Sequence, residues 1–293
     1  MRTLRSRLIQ LHHCEGANWN VIRSLLTFDP TLQSIYDMSA VDLMNFNLDF
    51  QSASRFHQDL HVTKPWKTNG IREMKVITRF DEAYPESLKH IYDAPWVVYC
   101  MGKVQLLNTP SLSVVGTRHP SPHAKDTMKI VLKPIIQHNV TVVSGLARGI
   151  DTLAHRLALQ SGTIAVLGSG FKHIYPKENI ELAATIAKEG LLLSEYPPHR
   201  FPERKQFPER NRIISGLSKG TLVVEAKKKS GSLITADQAI DQGRDVFCLP
   251  GRLTDVHSEG TNRLIQQGAK LILKGEDILA EYSEFQEKVA STI

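Results

Sequence analysis

Six apolar runs, each closing on a small or polar residue, punctuate the chain at 112–116, 140–145, 164–168, 191–195, 222–225 and 246–250. A shorter seventh follows at 270–273. Segments long enough for helices separate them, among them 124–137, 152–160 and 180–188. Uninterrupted apolar strands alternating with helices require a mostly parallel sheet covered on both faces, an α/β fold. In such sheets ligands gather beyond the carboxyl ends of the strands, so the residues that close the runs are where function is sought.

The stretch 141–155 shows the pattern at its clearest. Thr141, Val142 and Val143 run into Ser144-Gly145, and Gly149 precedes an amphipathic segment carrying Asp151 and His155. A strand, a glycine-rich turn and a helix are predicted, and a turn of this kind brings bare N–H groups and a helix dipole to one spot, where an anion fits. The G-x-x-x-G spacing is neither a dinucleotide fingerprint nor an ATP-type P-loop, which argues against a motor or helicase. Other strand ends repeat the chemistry: Gly116-Thr117-Arg118, Gly168-Ser169-Gly170, Ser194-Glu195, Glu225-Ala226 with Ser230-Gly231-Ser232 beyond it, and Pro250-Gly251. Glycine and serine leave room and supply donors, and Arg118 adds a planar fork that matches phosphate oxygens.

Charge points to the same class of ligand. The net charge is +6, and between residues 200 and 229 lie nine basic and three acidic residues, 9 − 3 = +6, so the rest of the chain balances to zero. A focused positive field suits a polyanion such as nucleic acid. No apolar stretch has the length of a signal peptide or membrane span, which predicts a cytosolic location without membrane contact. Cys14, Cys100 and Cys248 are odd in number and without C-x-x-C spacing, and no histidine cluster has ligand spacing, so neither disulfide, metal nor other cofactor is expected.

Ahead of the α/β part, residues 1–65 read as a small helical domain. Leu4, Leu8 and Leu11 recur at helical spacing and Ser39 with Asp42 resembles a capping box. Between 57 and 72 the pattern dissolves into polar residues with Pro65 and Gly70, a predicted linker. A bridging piece follows, with strands at 75–78 and 96–100 and a short helix around Leu88.

Taken in order, Gly116-Thr117-Arg118, Ser144 to Asp151 with Ala154-His155, Ile164 to Gly170 with Tyr175-Pro176, Phe207-Pro208-Glu209-Arg210-Asn211-Arg212-Ile213-Ile214, Ser230 to Ala236, Pro250-Gly251 and Gly260 to Ile265 resemble the DNA-processing protein A family (DprA, also called Smf). The resemblance implies an extended Rossmann-like domain over 75–282, a sterile-alpha-motif-like or helix-hairpin-helix domain over 1–65, homodimerisation through the Rossmann-like part, and delivery of single-stranded DNA to the recombinase RecA during natural transformation. The tail 283–293 is too short for the C-terminal winged helix of many relatives.

With the strand-end pattern, the resemblance nominates as DNA-binding residues Gly116, Thr117, Arg118, Ser144, Gly145, Arg148, Gly168, Ser169, Gly170, Arg210, Asn211, Arg212, Ser230, Gly231 and Ser232. On an extended backbone Arg210 and Arg212 would face one way; on a helix they would diverge. Phe207 is a candidate for base stacking.

No catalytic residue is expected. Asp151 and His155, four apart on one helical face, read as a buried hydrogen-bonding pair, and Ser144 and Ser232 lack a nucleophile elbow. The competing reading is a nucleotide hydrolase related to the lysine-decarboxylase-like phosphoribohydrolases, using Glu195 or Glu225. Pro250-Gly251-Arg252 departs from their P-G-G-x-G-T-x-x-E signature at the third place.

Overall fold

The computed structural model describes residues 3–62 and 74–282. The greater part of the expected linker and the tail 283–293 lie outside the described residues.

Four helices come first: α1 (Leu4–His12), α2 (Trp19–Phe28), α3 (Ala40–Leu43) and α4 (Phe50–His61). Each begins on a side-chain oxygen that accepts from an otherwise orphaned amide, Thr3, Asn18, Ser39 and Asp49 in turn. Helix α4 continues through 57–61, where polar composition had predicted linker. Buried Ala53, Phe56 and Leu60 supply the apolar face, and the polar residues merely cover the solvent side.

The rest alternates strand and helix: β1 (Met74–Thr78), α5 (Glu86–Lys89), β2 (Val97–Gly102), β3 (Ser111–Val115), α6 (Ala124–Gln137), β4 (Thr141–Ser144), α7 (Ile150–Ala158), β5 (Thr163–Leu167), α8 (Ile180–Glu189), β6 (Leu191–Ser194), α9 (Gln206–Leu217), β7 (Gly220–Val223), α10 (Gly231–Asp241), β8 (Asp245–Cys248), α11 (Glu259–Gln266), β9 (Lys270–Leu271) and α12 (Gly275–Leu279). The nine strands of the described residues form one sheet in the order β1-β2-β6-β5-β4-β3-β7-β8-β9. The pairings β1–β2 and β2–β6 are antiparallel and the others parallel. Helices α6, α7 and α12 cover one face over Leu112, Val114, Val142 and Leu222. Helices α5, α9, α10 and α11 cover the other over Val115, Val143, Val166 and Val223.

The N-terminal helices share their core with the β2, β5 and β6 region of the sheet, through Val97, Tyr99, Ala165, Leu167 and Leu192. Trp19 and Trp96 stack with centroids 6.1 Å apart. Trp19 Nε1 donates to the Ala94 carbonyl at 2.9 Å, and Trp96 Nε1 to that of Trp19 at 3.1 Å. Beside them the Tyr99 hydroxyl sits between His12 Nδ1 at 3.2 Å and His13 Nε2 at 3.0 Å.

Burial, then His13, pulls the His12 pKa down to about 3; burial, then His199, pulls that of His13 to about 4. Both imidazoles are therefore neutral in the fold. Above about pH 6.5 the unfolded chain is neutral at these positions too; below it, the unfolded chain takes up protons that the fold refuses. Each histidine then removes about 1.4 kcal/mol of stability per pH unit until its folded pKa is reached. The urea midpoint is expected to drop steadily from pH 6.5 to pH 4, and less steeply for His12→Gln. A midpoint constant over that range would contradict the neutral cluster.

Candidate functional site

Strand β3 lies at the centre of the parallel part of the sheet, with β4 on one side and β7 on the other. From β3 the chain steps outward through β4, β5 and β6, then returns to place β7 on the opposite flank. The helices after β3 and β7, α6 and α10, pack on opposite faces. This is a topological switch point, where the diverging connections leave a crevice at the carboxyl edge.

The loop after β3 is fixed from both sides. Thr117 N–H donates to the Glu225 carbonyl at 2.8 Å, and the Thr117 carbonyl accepts from Ile150 N–H at 3.2 Å. The Glu225 carboxylate takes Ser121 N–H at 2.9 Å and Ser121 Oγ at 2.5 Å. Gly116 is required by packing, because a Cβ there would lie 2.6 Å from the Ile150 side chain. Arg118 projects from this clamped loop. It is exposed, and among the described residues its guanidinium has no hydrogen bond or ion pair. Its charge is close enough to Arg210 to help lower that residue's pKa. The two arginines, ninety-two positions apart in sequence (210 − 118), thus meet at one edge of the sheet.

Across the switch point, the loop after β7 carries exposed Lys227, Lys228 and Lys229 into the start of α10. Ser230 caps that helix, accepting from Ser232 N–H, and shares a 2.7 Å hydroxyl contact with Ser232. A Cβ on Gly231 would meet nothing within 4 Å, so this helix start opens onto solvent.

The turn after β4 differs from expectation. Its N–H groups are not bare: those of Gly145 and Ala147 donate to Asp151 Oδ2 at 3.1 and 3.3 Å, and that of Leu146 to His155 Nε2 at 3.3 Å. The acceptor held at this helix start is the chain's own Asp151 carboxyl group. Ser144 is likewise engaged, its hydroxyl donating to the Val114 carbonyl at 2.7 Å. Thus Asp151 and His155 are the buried pair that ties the helix start to its turn. Burial raises the pKa of Asp151, opposed by Arg210 and these amides, whereas burial and then Arg210 pull His155 down to about 3. Asn179 closes the network by donating to the Leu146 carbonyl at 2.9 Å. Arg148 leaves the turn outward and pairs with Glu178 on the surface.

Arg210 and Arg212 lie on helix α9, not on an extended segment, and diverge as helical residues two apart must. Pro208, in the first helical turn, is no obstacle there. Both side chains are buried. Arg210 reaches under the β4 turn to the carbonyls of Gly145, at 2.6 Å, and Val166, and its Nε donates to Asn211 Oδ1 at 3.2 Å. Burial brings its pKa down to about 10, with Asp151 opposing, so it stays charged at neutral pH. Arg212 turns the other way, to Asp93 and Glu195, each at 2.8 Å. Burial works against its charge, but Glu195 and then Asp93 outweigh that and hold its pKa above the ordinary value.

The turn after β5 is packed as tightly. A Cβ on Gly168 would strike the Phe207 ring at 2.8 Å, and one on Gly170 the Pro197 carbonyl at 2.2 Å. The Ser169 hydroxyl donates to the His173 carbonyl at 2.7 Å. At Pro250-Gly251, the Asn262 amide brackets the glycine, accepting from its N–H at 3.1 Å and donating to its carbonyl at 3.0 Å. The fold therefore gathers the nominated residues in two layers: Arg118, Ser230 and Gly231 toward solvent, with buried Ser232, Ser144, Gly145, Arg210 and Arg212 behind them. Sequence reasoning missed Asp93, Ser121 and Asn179, whose partners are remote in the chain and leave no local signal.

Fold and site together define a Rossmann-like α/β protein with exposed cations on the loops at its switch point. Residues 75–283 match the DNA recombination-mediator protein A family, and the chain belongs to it. A DNA processing protein DprA of Bacillus subtilis is 41% identical over 272 residues, covering 91% of this chain and 89% of that protein. The X-ray structure of DNA processing protein A from Streptococcus pneumoniae superposes with a TM-score of 0.82 at 36% identity, covering 95% of this chain and 98% of that one. DNA processing protein A from Helicobacter pylori, solved for its single-stranded DNA binding mode, gives a TM-score of 0.64 at 32% identity, covering 70% and 93%. Among the described residues no helix is long and apolar enough to cross a membrane.

Proposed function

We propose that the protein binds single-stranded DNA along the carboxyl edge of its sheet and, as a cytoplasmic homodimer, delivers it to the recombinase RecA in natural transformation and homologous recombination. The observation that carries this reading is Arg118, an exposed cation with no hydrogen bond or ion pair among the described residues, on a loop clamped at the switch point. Arg118, Ser230, Gly231, Ser232 and the lysines at 227–229 contact the strand directly. Gly116 and Thr117 fix Arg118, while Ser144, Gly145, Arg210, Asn211 and Arg212 brace the edge from behind. Gly168, Ser169, Gly170 and Arg148 border it. The dimer forms at the far end of the sheet, where strand β9 is an open edge with Leu271 48% and Leu273 73% exposed. No turnover is assigned, since the two carboxylates an enzyme would use are taken up by Arg212 and by Ser121.

Affinity for single strands should fall steeply with salt, the logarithmic slope being roughly −0.7 per phosphate neutralised. Arg118→Ala should weaken binding by about 1.5–3 kcal/mol, the range for a hydrogen bond to a charged group, and Arg118→Lys should recover only part, because a point charge lacks the fork. Gel shifts with single-stranded and duplex DNA over a salt series test both. Wild-type affinity in a folded Arg118→Ala protein would move the site elsewhere. Release of base or phosphate from a nucleoside monophosphate by the wild type would favour the hydrolase.

A further inference from the structure

Beyond the crevice, the loops that follow β5 and β6 are zipped together. Gly170 N–H donates to the Arg200 carbonyl at 2.9 Å and Lys172 N–H to that of Pro198 at 3.0 Å. This pairing lays the His173 imidazole against the Phe201 ring, with centroids 3.8 Å apart and planes inclined by 28°. Phe201 nevertheless remains 67% exposed. An aromatic ring held in a fixed orientation outside any core offers a flat apolar surface whose ordering cost is already met.

Its surroundings select the partner. Lys172 and Arg200 are exposed on the same two loops, Lys172 without an ion pair among the described residues and Arg200 paired with Glu203 at 3.1 Å, and partial burial, then Lys172 and His173, hold the His199 imidazole below its ordinary value. A ligand matching both features is polyanionic and carries planar faces. Only β4 separates β3 from β5, so the two strand ends are about 10 Å apart, within reach of one extended strand.

We propose that Phe201, ordered by His173, is a stacking step for a base of the same single strand whose phosphates Arg118 holds. The inference rests on the DNA-binding reading above and adds that bases, not phosphates alone, are gripped. Bases in a duplex are already stacked on one another and cannot use the step, so it favours single strands.

The test compares an oligothymidylate with a sugar-phosphate strand of equal length lacking bases, bound to the full chain. Phe201→Ala should weaken oligothymidylate binding about tenfold, as loss of one base–aromatic stack does, and leave the abasic strand within about twofold. Phe201→Trp should restore the preference, and Arg118→Ala should weaken both strands. Equal effects of Phe201→Ala on the two strands, or none on either, while Arg118→Ala weakens both, would overturn the stacking step and leave the DNA-binding reading standing. Failure of the wild type to bind either strand would overturn both.

Discussion

Arg210→Met is expected to destabilise the protein by about 3–5 kcal/mol, the range for removing one partner of a buried charge pair. The guanidinium donates to the Gly145 carbonyl, at 2.6 Å, and to that of Val166, and it faces buried Asp151. Methionine fills much of the volume, but leaves the carbonyls without their donor and the carboxylate without its cation. Arg210→Met with Asp151→Asn should be more stable than the single variant, because an amide oxygen can still accept from Gly145 and Ala147 while the uncompensated charge is gone. Urea titration of the two proteins decides the matter. Should Arg210→Met keep wild-type stability and lose DNA binding, the guanidinium is a ligand and not a brace.

Gly149→Ala carries the second large effect. Gly149 has φ +76° and ψ −122°, a conformation nearly confined to glycine, and a Cβ there would lie 2.4 Å from the Thr117 carbonyl oxygen and 2.7 Å from the Arg118 carbonyl carbon. Strain of about 3 kcal/mol, the upper end for a disfavoured backbone conformation, is expected. The backbone it would push against is the loop that carries Arg118, so DNA affinity should fall together with stability. Gly243→Ala is the control, since Gly243 also has a positive φ, +67°, but a Cβ there meets nothing within 4 Å. It should cost about 1 kcal/mol and leave DNA binding unchanged. Equal losses of affinity in the two variants would mean that the Arg118 loop is not set by its contact with Gly149.

The strands were legible because a parallel strand buried on both faces must be apolar throughout, and 164–168 or 191–195 admits few other readings. Helix α9 was not. It is buried on more than one side, and two of its buried residues are Arg210 and Arg212, charged groups whose partners lie on other elements, so no apolar period marks it. The β4 turn shows a subtler limit. Its glycines and the helix after it announce an anion site, but whether the anion is a ligand or the chain's own carboxylate depends on the rotamer of Asp151, two residues beyond Gly149. The i, i+4 spacing of Asp151 and His155 was the one clue to their joint role. Glu195 and Arg212 are seventeen residues apart (212 − 195) and Asp93 far earlier in the chain; only the folded chain brings them together.

The seam between the N-terminal helices and the sheet bears on how such a protein can change over generations. Trp19 and Trp96 each donate to backbone on the other's side of the seam, and Tyr99 is shared by two histidines of the helical region. A helical region exchanged for an unrelated one would strand the Trp96 indole and the Tyr99 hydroxyl, and uncover the apolar face formed by Val97, Ala165, Leu167 and Leu192. The helices are therefore not a removable cassette. Drift on one side of the seam obliges a matching change on the other, and a chimera of two relatives keeps its solubility only when the crossover carries residues 96–99 together with the helices they serve.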